Sequence, residues 1–183
     1  MPAEIRELEE HEMPEPMLLT KEERQKTRTL YQTVFSEDSQ KFVDFYYEYK
    51  IRDNQIYALW EDEQYVSMVH LNPYTMIVNG YEVLSNYIVA VATLKNYRHR
   101  GYMRLLLETA FRQMAADKMP FTFLMPASES IYTPFDFVWI SPFTELPKRV
   151  THLDADGQNR YLASRYQLFC KRDARYMENL KAE

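Results

Sequence analysis

The run Arg98-His99-Arg100-Gly101 puts two arginines, a histidine and a glycine directly ahead of a segment with helical spacing. Those residue types in that place can hold an anion. The amides of a helix's first turn lack internal partners and sit at the positive end of its dipole, so a turn bending back over them can cradle a phosphate. Gly101 gives open access to the backbone, and the flanking bases add charge. The spacing alone fits a solvated basic connection equally well. Two other chemical groups read as ordinary. Cys170 is the only cysteine, so it forms neither an internal disulfide nor a thiolate metal site, and no metal is expected. His70 lies in an alternating strand pattern and reads as a core histidine.

The elements that position the basic turn are legible on both sides of it. Upstream, Val83 to Leu94 contains Ile88-Val89-Ala90-Val91-Ala92, the nearly continuous apolar run of a central strand covered on both faces. Downstream, Met103, Leu106, Leu107, Ala110, Phe111 and Met114 form one apolar helix face, with Glu108 four residues before Arg112 on the wet side. The strand is preceded by three short β-branched and aromatic segments, Gln55 to Trp60, Tyr65 to Leu71 and Tyr74 to Val78. After Val78, Asn79-Gly80 is a strong hairpin signal.

Further toward the N-terminus, Thr20 and Glu23 form a capping box that opens a helix over about 20–35, and Ser36 to Ser39 break it. The aromatic stripe Phe42, Phe45, Tyr46 and Tyr49 marks a second helix packed on the core. Toward the C-terminus, Phe121 to Met125 reads as a second apolar strand, and Ser128 opens a further helix. Short strands follow at Phe137 to Ile140 and Tyr166 to Cys170, before a terminal helix from Asp173. Strands feeding helices make this an α/β domain.

Length and composition bound the rest. A chain of 183 residues, 46% hydrophobic and 15% aromatic, suits one domain with a real core, and excludes a disordered or collagenous chain. Its net charge of −5, without a long basic run, speaks against nucleic-acid phosphates as partner and for a cationic small molecule or peptide. No apolar run approaches the roughly 18 residues a membrane helix requires, and the acidic N-terminus lacks the pattern of a signal peptide. A cytoplasmic protein with no membrane partner is the expectation, with self-association into a homo-oligomer left open.

Two motifs carry a family resemblance. Val91-Ala-Thr-Leu-Lys-Asn-Tyr-Arg98-His-Arg-Gly101-Tyr-Met103 resembles the acetyl-CoA pyrophosphate motif of the GCN5-related N-acetyltransferases (GNAT), Arg/Gln-x-x-Gly-x-Gly/Ala. Pro126-Ala-Ser-Glu-Ser-Ile-Tyr132-Thr-Pro-Phe135 resembles the Ile-Tyr-x-x-Phe segment in the N-terminal domain of acetyltransferases of the enhanced intracellular survival (Eis) type. Leu71-Asn-Pro-Tyr74 and Phe169-Cys-Lys-Arg-Asp173 also look like that subfamily.

The resemblance implies the GNAT fold, a splayed, mostly antiparallel mixed sheet flanked by helices. It implies an arm over 1–18, a core over 19–150, and a C-terminal strand and helix over 151–183 that complete the domain or lead to a second one. It implies acetyl-CoA as cosubstrate. Backbone groups of Val91 and Thr93 would meet the pantetheine arm, and the turn of Arg98, His99, Arg100, Gly101, Tyr102 and Met103 would hold the pyrophosphate. Met103 departs from the motif's Gly or Ala. Tyr132 would be the general acid that protonates the departing thiolate; the bland reading of that residue is a packed tyrosine.

The base in the resembled subfamily is the chain's own terminal carboxylate, in a distant third domain. This chain ends at Glu183, where a second domain would begin, and so reads as the first domain of that architecture or as a naturally short chain. Glu37, Asp38 and Glu129 are the local candidates to bind or deprotonate a substrate amine, with ordinary solvated carboxylates as the alternative reading. Asp136 stands where the subfamily has glycine, in a position asking for a left-handed backbone. The leading reading is acetyl transfer to the primary amine of a small molecule or peptide. The alternatives are an inactive domain that binds acyl-CoA or an amine, and a domain serving assembly only.

Overall fold

The computed structural model describes residues 13–182. The first twelve residues of the acidic arm lie outside these. The arm ends in a two-residue strand, β1 (Met17–Leu18), on the edge of the sheet beside β2 (Gln55–Glu61). The predicted capping box forms: the Thr20 amide donates to Glu23 at 2.9 Å and the Glu23 amide to Thr20 Oγ1 at 3.4 Å. The helix it opens starts as a turn and a 3-10 segment before α1 (Arg28–Val34). Ser39 caps α2 (Gln40–Glu48), accepting from the Phe42 amide.

The two predicted strands over 65–78 are one, β3 (Gln64–Val78). Pro73 does not break it, because β2 pairs β3 only as far as Leu71 and the last strand, β6 (Leu168–Cys170), begins pairing at Met76. Pro73 falls in the gap between these two partners, where no ladder bond asks for its missing N–H. Asn79 and Gly80, at φ 50° and 87°, then turn the chain into β4 (Tyr81–Thr93), which pairs β3 along its length. The pairing shifts register opposite Val69, where Ala90 adopts φ 50°.

β4 leads through a short 3-10 turn, Lys95–Tyr97, to α3 (Tyr102–Ala116). Leu106, Leu107, Ala110 and Met114 of α3 pack on Leu59, Val66, Leu71 and Ile88, as the periodicity predicts. Glu108 pairs with Arg104 at 3.2 Å, rather than with Arg112, which donates to Thr109 instead. On the other face of the sheet, Leu30, Tyr31, Val43, Tyr46 and Tyr47 of α1 and α2 cover Ile56, Met68 and Ala92. This is the expected α/β architecture, a mixed and mostly antiparallel open sheet flanked by helices.

The apolar run after Pro120 pairs over two residues only, β5 (Thr122–Phe123), parallel to β4 at Asn86 and Tyr87. Past Tyr87 the two strands separate. The helix started at Ser128 is short, α4 (Glu129–Tyr132), and runs into a 3-10 turn that Asp136 ends at φ 62°. The strand expected at Phe137 to Ile140 does not form. No strand among the described residues offers a ladder there, and Val138, Trp139 and Ile140 are 78%, 61% and 69% exposed.

Beyond it come a single turn, α5 (Lys148–Thr151), and a helix the sequence reading missed, α6 (Ala155–Ala163). Its signal was present: Asp154 accepts from the Gly157 amide at 2.7 Å, an N-cap three residues before the bonded donor. The terminal helix α7 (Ala174–Ala182) closes the described chain, with Asp173 capping it through the Tyr176 amide.

Candidate functional site

β4 loses its pairing to β5 after Tyr87 and leads through the turn directly to the start of α3. Gly101 precedes α3 at φ 84°, a conformation that side chains disfavour, and His99 stands at φ 65°. Leu105 makes the first helical bond back to Gly101, so the amides of Tyr102, Met103 and Arg104 precede the hydrogen-bonded ladder. Among the described residues, the methyl of Met13 is the one group near the space that a Cβ on Gly101 would take, 3.7 Å from it. The turn therefore leaves these three amides ahead of the helical ladder, with a left-handed residue before them. Met103 points away from it, packing against the core beneath α3.

The strand edge has the matching polarity. The Leu94 amide donates to Val66 on β3 at 2.9 Å. Backbone groups alternate sides along a regular strand, so those of Thr93 face the edge away from β3, while Val91 adjoins the register shift at Ala90. Arg98 reaches the Thr93 carbonyl from that side, Nε donating at 3.1 Å. Arg100 turns elsewhere, to Glu61 at 3.2 Å and to the Asn96 carbonyl at 3.1 Å. Three bases in four residues are thus divided between internal partners and solvent.

Tyr132 ends α4 half-buried in the cluster under α3, its ring edge-on to Phe137 at 5.8 Å between centroids. Burial, and then the neighbouring Tyr87 phenol, hold its hydroxyl above the ordinary phenol range. Asp136 takes the left-handed conformation that the sequence reading asked of it. The three candidate carboxylates are not gathered at this surface by any contact. Asp38 accepts a hydrogen bond from Tyr31 at 2.7 Å and ties α1 to the start of α2, while Glu37 and Glu129 are exposed.

His70 is fully buried and only half satisfied. Its Nδ1 pairs with the Tyr46 hydroxyl at 2.9 Å, and Nε2 meets no partner among the described residues. Burial holds the ring neutral, pushing it down to about 3. Sequence reasoning placed His70 in the core but did not find Tyr46 beside it, because that approach depends on how α2 docks on the sheet. Burial also pushes the Cys170 thiol up to about 11, away from nucleophilic use. Among the described residues no group of three or more His, Cys, Asp or Glu could hold a metal ion, and no helix is long and apolar enough to cross a membrane.

Comparison with known proteins adds a family and a fold. A model described as acetyltransferase (GNAT) domain matches residues 15–140. Curated proteins offer no match. Among solved structures, a probable N-acyltransferase of unknown function from Enterococcus faecalis V583 aligns with a TM-score of 0.61 and 22% identity, covering 66% of this chain and 31% of its own. A GNAT family acetyltransferase from Brucella melitensis, in complex with acetyl-CoA, aligns at 0.59 with 14% identity, over 75% of this chain and 93% of its own. An aminoglycoside acetyltransferase from an uncultured soil sample aligns at 0.56 with 16% identity, over 73% and 97%. The chain spans about a third of the length of the Enterococcus protein.

Proposed function

Since the chain belongs to the acetyltransferase (GNAT) domain family, we propose that it transfers the acetyl group of acetyl-CoA to a primary amine of a small molecule or peptide. The observation that carries this reading is the joined geometry of the β4 edge, the turn at Gly101 and the first turn of α3. In this reading the exposed edge at Val91 and Thr93 receives the pantetheine amides as a strand would, and the turn from Arg98 to Met103 holds the pyrophosphate. Gly101 keeps the approach open, with the Met13 methyl as the group to be displaced.

The chemistry follows from what an amine and a thioester require. The neutral amine nitrogen attacks the thioester carbonyl, a C–N bond forms, and the tetrahedral adduct collapses with cleavage of the C–S bond. The nitrogen must shed a proton and the departing thiolate can gain one. We assign the second task to Tyr132. Its raised pKa makes it a reluctant donor in the resting state, and the thiolate charge developing beside it supplies the driving force. Asp38 is occupied by Tyr31, which leaves Glu37 and Glu129 as the exposed local carboxylates for the amine.

The likeness to the Eis-type N-terminal domain rests on Ile131-Tyr132-x-x-Phe135, and Asp136 in its left-handed conformation fits it. The test is a coenzyme A release assay with acetyl-CoA against aminoglycosides, polyamines and lysine peptides. Amine-dependent release supports the reading. Binding of acetyl-CoA with no release for any amine favours the inactive binding domain, and absence of binding removes both.

A further inference from the structure

The β2–β3 hairpin is built in an unusual way and is tied to the candidate cofactor turn. Its two turn residues, Asp62 and Glu63, stand at φ 49° and 58° between the paired residues Glu61 and Gln64. A turn of this type favours Asn-Gly, which the next hairpin supplies at Asn79-Gly80. An acidic pair held there costs stability, so the side chains it presents need a use.

Two carboxylates of the hairpin, Glu61 and Asp62, go to one place. The two oxygens of Glu61 are divided: Oε1 accepts from Arg100 at 3.2 Å, and Oε2 accepts from the Tyr102 hydroxyl. Asp62 accepts from the Tyr97 hydroxyl. Arg100 also lies over the Tyr97 ring, 4.8 Å from its centre, and donates to the Asn96 carbonyl. The Glu61 side chain is only 14% exposed while that of Arg100 is 42% exposed, so the carboxylate is the sheltered partner and its bond to Tyr102 is the better shielded of the two. The residues so fastened lie on both sides of Gly101, at the end of the 3-10 turn and at the first position of α3.

We propose that Glu61 is a positioning residue of the cofactor turn, and that Arg100 acts through it, holding the turn's shape, rather than by contacting phosphate. This rests on the reading that the turn binds acetyl-CoA. The electrostatics carry the distinction. A carboxylate beside an arginine meant for phosphate would cancel its attraction and add repulsion of its own. A carboxylate meant to fix a backbone conformation does useful work there, because amides already aimed at an anion need no reordering when it arrives.

The two roles predict opposite signs for one substitution. If Arg100 is a phosphate ligand restrained by Glu61, then Glu61→Ala frees it and acetyl-CoA binds more tightly. If Glu61 holds the turn, Glu61→Ala weakens binding at least about fivefold, a shift typical of losing a charge-assisted contact. The experiment pairs calorimetry of acetyl-CoA with hydrogen exchange on the ligand-free chain, for wild type, Glu61→Ala, Glu61→Gln and Arg100→Ala. Exchange should quicken over residues 98–103 in Glu61→Ala while Leu106 to Met114 stay protected, which separates a loosened turn from general destabilisation. Glu61→Gln, which keeps an acceptor for Tyr102, should recover part of both losses. Adding Arg100→Ala to Glu61→Ala should cost little more than either alone. Tighter binding by Glu61→Ala, or an unchanged exchange pattern, overturns the proposal and leaves the acetyl-CoA reading intact. A wild-type chain that binds no acetyl-CoA, with exchange still quickened by Glu61→Ala, overturns that reading and the clasp's purpose with it.

Discussion

Arg98 leans back on the strand that feeds it, its Nε donating to the Thr93 carbonyl at 3.1 Å. One side chain thus joins the candidate phosphate turn to the candidate pantetheine edge, and its remaining guanidinium nitrogens meet no acceptor among the described residues. Arg98→Glu removes that join and reverses the charge. Affinity for acetyl-CoA should fall at least about tenfold, the equivalent of roughly 1.4 kcal/mol or more. Unchanged affinity by calorimetry would withdraw the pyrophosphate assignment.

Gly101 makes a sharper test of the backbone. At φ 84° any side chain is strained, and a branched one also enters the space next to the Met13 methyl. Gly101→Val should abolish acetyl-CoA binding while the far-ultraviolet circular dichroism stays close to wild type, since the site is a turn outside both cores. A variant that unfolds would mean that the glycine is needed by the fold and not by a ligand.

Tyr132 separates chemistry from binding. Tyr132→Phe keeps the ring against Phe137 and deletes the hydroxyl. A general acid lost in this way lowers kcat by about 10² to 10⁴ with the cofactor Kd little changed. Equal kcat would assign the proton to water, and joint loss of stability and binding would assign the residue to packing.

His70 gives the fold a pH signature. Its folded value of about 3 lies below the ordinary 6.5, so between these limits the unfolded chain binds a proton that the native one refuses. Stability attributable to this residue is complete above about pH 6.5 and falls as the pH drops toward 3, by up to about 1.4 kcal/mol per unit. Urea titrations from pH 7 to 4 should show this slope for wild type and a shallower one for His70→Gln. Parallel slopes would mean that the buried ring is reached by solvent.

The basic turn, the strand before it and the helix after it were all legible, because each is a local pattern: an apolar run, a glycine among bases, a 3.6-residue stripe. The left-handed backbone at Asp136 followed only from the family resemblance, which has glycine at that place. The Phe137 to Ile140 segment misled because β-branched and aromatic residues name a strand only if a neighbour exists, and β5 ends too soon to supply one. Pairing between distant segments was equally hidden. Nothing near Arg100 in the sequence announces Glu61, 39 residues away, and nothing near His70 announces Tyr46.

The register shift at Ala90 has a consequence for how the molecule survives with its sheet ajar. Beyond Tyr87, β4 presents backbone groups that no strand among the described residues pairs on the side away from β3. An uncovered edge of that kind is a template on which a stray strand from another molecule could grow. A residue at φ 50° in mid-strand spoils the template, because the donors and acceptors on either side of it no longer fall at the even spacing that a flat incoming strand demands. A short, flexible, amide-bearing molecule can follow the kink where a second β-strand cannot. The far end of β4 is in this way guarded against edge-to-edge pairing.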